Sequence, residues 1–278
     1  MKQHITVILC GICTAVLICS CTTSGIRHQA ELAEQAAAAI SQARFADIME
    51  NREIVIGTAP SPVRALERDI LMAVLKDTGL KIRQLDAPQE QLIPFLRNGQ
   101  VDIICGALTD MELKEARLIP VMSYMPLTFH LLQDASFKTK SDGSAQKTQF
   151  LLYPEASPEA RIVPYLSSDL PKQNIPLPEL LSTQQDEPAK YALLLSCISI
   201  PAKLKNRKSI RIRTAEFTKP VSIQLSFAVR RHAKELEQLL TLRFSQIAAD
   251  GTLQSILNSH RTLFETANMP GNETGETP

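Results

Sequence analysis

The chain of 278 residues contains no tryptophan, and aromatic residues make up only 5% of it. Its 10 glycines form none of the glycine-rich loops that hold nucleotide phosphates. The sequence also lacks the Gly-x-Ser-x-Gly turn of hydrolases and the His-Glu-x-x-His helix of zinc peptidases. Its 5 histidines stand apart, without the spacing of metal ligands. We therefore expect no enzymatic activity, no catalytic residues, no cofactor and no metal site.

An excess of charge of one sign is also absent, since 30 basic residues balance 29 acidic ones and leave a net charge of +1. This balance gives no reason to expect a nucleic-acid partner. One local basic stretch fits a solvated strand and loop, or a surface that docks to a transporter, an anionic envelope polymer or an anionic ligand. It consists of Lys203, Lys205, Arg207, Lys208, Arg211 and Arg213.

Cysteine is scarce outside the first 21 residues, which hold four of the 6 cysteines. The other two, Cys105 and Cys197, each lie in an apolar stretch. Two cysteines are too few for a small secreted domain built on disulfides. We expect both to be buried, unpaired thiols.

The N-terminus has the pattern of a secretory signal peptide. Lys2 precedes an apolar run over Ile5–Ile18, and Ser20 precedes Cys21. The four residues that end at Cys21 resemble the lipobox of bacterial lipoproteins, which implies that Cys21 is acylated after cleavage. Simple secretion and an uncleaved anchor remain as alternatives, although the run is shorter than the about 20 residues of a membrane span. No later apolar run is long enough to span a membrane.

Hydrophobic periodicity in the first half alternates between strands and helices. An Ala-rich helix over Glu31–Glu50 is followed by strands and helices of similar length, which indicates βαβ units with a parallel sheet. The third strand is apolar on both faces apart from Asp102, so the sheet should be covered on both sides. The predicted elements are strands Ile54–Ile56, Leu80–Leu85 and Val101–Cys105 and helices Leu66–Val74 and Gln89–Asn98.

A polar stretch over residues 133–148 indicates an exposed loop or a boundary. Strands then follow again, and an amphipathic helix over Glu235–Ile247 precedes a short last helix around residues 253–257. The later predicted strands are Phe150–Tyr153, Ala192–Ile200, Ser209–Arg213 and Ser222–Val229.

Three stretches, residues 46–59, 66–109 and 225–257, together resemble the bacterial extracellular solute-binding proteins of family 3, the polar amino-acid class. The resemblance implies the α/β type II periplasmic-binding-protein fold, with two lobes, a hinge and an interlobe cleft. It implies crossovers near Phe129–Gln133 and Ser226–Arg230. The expected organisation is a lipoprotein signal peptide (1–20), tether and helix (21–52), lobe 1 (53–130 and 228–265), lobe 2 (131–227) and a disordered tail (266–278).

The resemblance also implies where a solute would bind. Family members that bind amino acids hold the carboxylate with a Thr and an Arg, hold the ammonium with an Asp, and cover the side chain with an aromatic loop. Here Thr109 is present, Lys114 and Arg117 are the nearest cations, and no aromatic residue follows the first strand. The candidate ligand-binding residues are Ser61, Arg64, Ala107, Thr109, Lys114, Arg117, Ser157 and Ser196, with Ser196 near the place of the Asp.

Two functions follow from this resemblance. The first is a lipid-anchored, periplasm-facing and monomeric receptor, in the outer or the inner membrane, that closes on a small polar solute such as an amino acid and serves an ABC permease. The second is a degenerate relative that acts as a sensor or interaction module in the cell envelope. The missing Arg and Asp favour the second function, since charge-assisted contacts are worth about 1.5–3 kcal/mol each. Glu67 and Asp69 are interpreted as helix or hinge structure.

Overall fold

The computed structural model describes residues 28–134, 150–155, 157–168, 170–176, 179, 191–200, 204, 209–220 and 222–261. The signal peptide, Cys21, most of the polar stretch 133–148 and the tail from 266 lie outside the described residues. Within the described ranges, no helix has both the length and the apolar character needed to cross a membrane.

The described helices and strands include those predicted from the sequence, together with others that were not predicted. The strands are β1 (Glu53–Thr58), β2 (Lys81–Asp86), β3 (Ile103–Cys105), β4 (Ile119–Pro126), β5 (Phe129–Asp134), β6 (Phe150–Pro154), β7 (Lys172–Ile175), β8 (Tyr191–Ser196), β9 (Ile210–Thr214) and β10 (Gln224–Val229). The helices are α1 (28–51), α2 (Arg64–Leu75), α3 (Gln89–Arg97), α4 (Asp110–Glu115), α5 (Pro158–Ile162), α6 (Lys234–Ala249) and α7 (Thr252–Ser259). A 3-10 turn spans Val163–Tyr165. Strands β4, β5 and β7 and helices α4 and α5 were not predicted from the sequence.

The strands form two five-stranded sheets, which define lobe 1 and lobe 2. The order is β2-β1-β3-β10-β4 in lobe 1 and β7-β6-β8-β5-β9 in lobe 2. The sheets are mixed, which corrects the expectation of a parallel sheet: β10 runs antiparallel to β3 and β4, and β5 runs antiparallel to β8 and β9. The reason is that β5 and β10 enter their sheets from the other lobe and not through a crossover helix.

The lobe 1 sheet is covered on both faces, as its apolar strands predicted. Ile54 and Ile56 of β1 belong to the same buried cluster as Leu66 and Ile70 of α2. Val55 points to the opposite face, in a cluster with the α3 side chains. Helices α2 and α3 therefore lie on opposite sides of β1, and the carboxyl ends of β1 and β3 are left open to loops.

The chain crosses between the lobes twice. It leaves lobe 1 after β4 and enters lobe 2 at β5, so the first crossing occupies residues 127–128. It returns between β9 and β10, over residues 215–223. The segments expected as crossovers, Phe129–Gln133 and Ser226–Arg230, lie directly after these crossings, mainly within β5 and β10.

Helix α1 is anchored to lobe 1 by a buried ion pair. Nε and Nη2 of Arg44 donate to the two carboxylate oxygens of Asp102, each at 2.9 Å. The Asp102 side chain is fully buried and also accepts from the backbone N–H of Val55 at 2.9 Å. Ile48, one helical turn further along α1, packs into the core of the lobe. The Ala-rich helix is therefore part of the folded body over its second half.

Candidate functional site

A tight turn follows β3 at the open edge of lobe 1. Gly106 has a φ of +147° and Ala107 a φ of +58°. A Cβ on Gly106 would lie 2.9 Å from that of Ala59, so only glycine fits there. The N–H groups of Gly106 and Ala107 both donate to Oε1 of Glu67, at 3.1 and 2.9 Å. The N–H of Ala107, a predicted ligand-binding residue, is thus used inside the protein.

Glu67 accepts the hydrogen bonds that hold this turn. Its side chain is buried, Oε1 also accepts from the Tyr124 hydroxyl at 2.8 Å, and Oε2 has no partner among the described residues. Burial raises the pKa of Glu67, against the lowering effect of these hydrogen bonds. Asp69 points elsewhere, and its Oδ2 lies 2.8 Å from His260 Nε2. The two carboxyl groups therefore have separate structural contacts.

Thr109, the residue expected to hold a carboxylate, already binds one from its own helix. It is the N-cap of α4, and its backbone N–H and hydroxyl donate to Oε2 of Glu112 at 2.8 and 2.7 Å. Its hydroxyl oxygen in turn accepts from the Glu112 N–H, which completes a capping box. Both donors of Thr109 are therefore occupied by Glu112 in this structure.

The nearest cations also have contacts of their own. Nζ of Lys114 pairs with Oδ2 of Asp110 at 2.9 Å on the surface of α4. Arg117 lies in the turn after α4 with a φ of +56°, and its N–H donates to the Lys114 carbonyl at 2.9 Å. Neither residue is hydrogen-bonded to Thr109 in this structure.

In lobe 2, the two predicted serines are also engaged. Ser157 is the N-cap of α5, where its hydroxyl donates to the Pro154 carbonyl at 2.7 Å and accepts from the Ala160 N–H. Ser196 is fully buried, and its hydroxyl lies 2.8 Å from that of Ser199. Its backbone N–H donates to Oε1 of the buried Glu159 at 2.6 Å. A charged ligand group that reached Ser196 would have to displace these contacts.

The two lobes meet at an ion pair. Arg161 of α5 in lobe 2 pairs with Glu115 of α4 in lobe 1. Both helices start from the loops that carry the predicted serine and threonine donors. The ion pair therefore links the last turns of α4 and α5 across the two lobes.

The other two predicted residues, Ser61 and Arg64, lie in a different place. They line a cavity of about 550 Å³ within lobe 1, between α2 and strands β1, β2 and β3. Nη2 of Arg64 donates to Oδ1 of Asp86 at 2.6 Å, and Thr58 donates to the same oxygen. These contacts lower the pKa of Asp86 to about 2. The eight predicted residues are thus divided between this cavity and the region between the lobes.

The cysteine prediction is confirmed, because Cys105 and Cys197 are buried and form no disulfide. Burial raises the pKa of the Cys105 thiol well above its usual value, so this thiol stays protonated. Among the described residues, no group of three or more His, Cys, Asp or Glu side chains is arranged to hold a metal ion.

The sequence profile of the bacterial extracellular solute-binding proteins, family 3, matches residues 66–262. The chain belongs to this family. No curated protein sequence matches it significantly.

Solved structures confirm the two-lobed α/β fold of this family 3 protein. An amino acid ABC transporter substrate-binding protein from Streptococcus pneumoniae, AbpA bound to L-arginine, aligns with a TM-score of 0.58 at 14% identity, over 79% of this chain and 99% of that one. An ABC uptake transporter substrate-binding protein from the same species with bound histidine aligns at 0.57 and 14% identity, over 77% and 94%. An ancestral cationic amino acid solute-binding protein aligns at 0.56 and 14% identity, over 79% and 98%.

Two important site residues escaped the sequence analysis. Glu112 follows Thr109 by three positions, which is the Thr-x-x-Glu signature of a capping box, so the sequence carried a usable signal. Asp86 lies opposite Thr58 only because β1 and β2 pair in parallel in that register. No local pattern in the sequence gives that register.

Proposed function

We propose that this family 3 protein is a lipid-anchored receptor that faces the periplasm, closes its lobes on a small polar solute and serves an ABC permease. The observation that carries the proposal is the two-lobed body with two crossings, which lets one lobe rotate against the other. The Arg161–Glu115 pair is then a contact of the closed form. The apolar N-terminal run with Cys21 supports the lipid anchor.

Amino acids are the solute class to test first, since the structural neighbours named above include proteins with bound arginine and histidine. A solute present at 100 times its dissociation constant adds about 2.7 kcal/mol to the free energy of unfolding. For a chain of this size, we expect the Tm to rise by about 5–10 °C. Thermal melting against amino acids, polyamines and short peptides measures this shift. No shift with any of them would reject the receptor proposal.

A second function, a sensor or interaction module without transport, is favoured by the contact between Thr109 and Glu112. If Glu112 permanently fills the donors of Thr109, the native protein should bind no free amino acid. Glu112→Ala should then allow the protein to bind a free amino acid, and the lost cap should lower the free energy of unfolding by about 1 kcal/mol. Glu90→Ala is the control, because Glu90 lies in the first turn of α3 in the same lobe.

The melting experiment separates the two functions when it includes both variants. Binding by the native protein supports the receptor, with Glu112 moving aside when the solute arrives. Binding by Glu112→Ala alone supports the module, with an intact but internally occupied donor pair. Binding by the Glu90→Ala control but not by the native protein would contradict both explanations.

A further inference from the structure

The cavity in lobe 1 has the size of a small-molecule site. Its volume of about 550 Å³ lies within the range of about 300–1,000 Å³ that is usual for ligand pockets. All of its lining residues belong to β1, the loop after it, α2, β2 and β3, so it lies within lobe 1 and not between the lobes. The site therefore does not depend on the solute proposed above.

The walls of the cavity are mainly apolar. Met72 of α2 is 56% exposed, although it is a large apolar side chain beside this cavity. Ile82 faces it from the edge strand β2. The other apolar lining residues are Ile56, Pro62, Ala65 and Leu71. An apolar ligand group that covers such a surface removes apolar area from water, which favours binding.

The polar groups of the cavity are not all satisfied within the protein. The Ser61 hydroxyl oxygen is buried and has no hydrogen-bond partner among the described residues. A buried polar atom without a partner is uncommon in folded proteins and calls for a ligand, a water or an ion. By contrast, Thr58, Gln84 and Asp86 bond to one another. Ser61 is therefore the lining hydroxyl that offers a free contact.

The same edge of the cavity attracts negative charge. Arg64 is paired with Asp86, but Arg68 is 67% exposed and its contact with the neighbouring Asp69 is long, at 3.4 Å. Asp69 is in turn bound by His260. Helix α2 begins here at Arg64, and its N-cap residue provides no side-chain hydrogen bond. The guanidinium of Arg68 and the positive end of α2 thus favour an anion.

We infer that this cavity binds a small amphipathic carboxylate, whose apolar body lies between α2 and β2 and whose carboxylate binds near Ser61 and Arg68. An apolar cavity with a few polar groups at one end is the usual form of such sites. The exposed guanidinium of Arg68, whose contact with Asp69 is long at 3.4 Å, favours a monoanion over a neutral or cationic molecule with the same apolar body.

Methionine methyl NMR tests this site directly. The chain has 7 methionines, of which Met72 lines the cavity and Met111 lies in α4 near the region between the lobes. Octanoate should shift the Met72 methyl signal saturably and leave the Met111 signal in place. Octanol and octylammonium, which share the apolar body, should bind at least about tenfold more weakly than octanoate. An amino acid bound between the lobes should instead shift Met111, so the two proposals can fail separately.

Three variants complete the test. Ala65→Phe should fill the cavity and abolish the Met72 shift, while unchanged signals from the other methionines show that the fold persists. Arg68→Gln should weaken octanoate about tenfold or more and leave octanol unchanged. Lys76→Gln, at the far end of α2, is the matched control and should change neither. Equal binding of octanoate and octylammonium, or a Met72 shift that survives Ala65→Phe, would overturn the proposal, as would no shift with any probe.

Discussion

The ion pair between Arg44 and Asp102 is expected to hold α1 on lobe 1, and Arg44→Ala tests this role. The substitution removes both hydrogen bonds that the guanidinium donates to Asp102, together with its ion pair to Asp47 within α1. It leaves the Asp102 carboxylate buried, with the Val55 N–H as its remaining hydrogen-bond donor among the described residues. Breaking a buried ion pair from one side costs about 3–5 kcal/mol. Because the Arg44 side chain is 28% exposed, we expect the lower end, about 3 kcal/mol.

For a chain of this size, that loss corresponds to a decrease in Tm of about 6–12 °C. Hydrogen exchange should increase in α1 over residues 28–51, since the helix loses its main polar contact with the lobe. Arg44→Lys should lose part of the same stability, because one ammonium does not reproduce the paired contact of a guanidinium.

Arg83→Ala is the matched control. Its ion pair with Glu53 has a similar distance, 2.8 Å, but its side chains are 55% and 45% exposed. Exposed pairs contribute about 1 kcal/mol or less. If Arg44→Ala and Arg83→Ala lower the Tm by the same small amount, or if α1 exchanges no faster, the buried pair does not anchor the helix.

Two further predictions concern the core of lobe 1. Leu92→Ala should lower the free energy of unfolding in urea by about 2–5 kcal/mol, because Leu92 is fully buried. Leu242→Ala, on the exposed face of α6, should lower it by less than about 0.5 kcal/mol. Equal losses in the two variants would contradict the burial of Leu92. Burial raises the native pKa of Glu67 above its ordinary 4.5, so its contribution to stability is complete below the unfolded pKa and is lost as pH rises through the native pKa. The Tm of the native protein should therefore fall with rising pH more steeply than that of Glu67→Gln, and parallel curves between pH 4 and 8 would refute this.

The fold could be predicted where the periodicity was local. Ile54–Ile56 and the helix from Leu66 were recognisable because apolar residues recur at the period of one element. Strands β4 and β7 were not, since β4 contains Pro120 and Pro126, and β7 is an edge strand with three exposed residues out of four. Because β7 buries one residue of four, its sequence carries little hydrophobic signal.

The site was harder to predict than the fold. Most of its contacts depend on the register of paired strands and on whether a donor binds a neighbouring side chain or a ligand. Ser61 and Arg64 were candidates, but their cavity depends on the pairing of β1 with β2. Thr109 was expected to bind a ligand, whereas the structure gives its donors to Glu112. A residue type that suits a ligand also suits a neighbouring side chain, and the sequence alone does not decide between them.

The position of β10 in the lobe 1 sheet sets the order in which the lobes are completed during synthesis. Strand β10 lies between β3 and β4, and it pairs residue 228 with residue 104. The strands of lobe 2 are contiguous in sequence, from residue 129 to residue 214, and can associate as soon as they emerge. Lobe 1 begins first but has a gap in the middle of its sheet until the chain has passed residue 229. The edges of β3 and β4 that β10 covers have no partner strand during that interval, and unpaired strand edges are prone to pair with other chains.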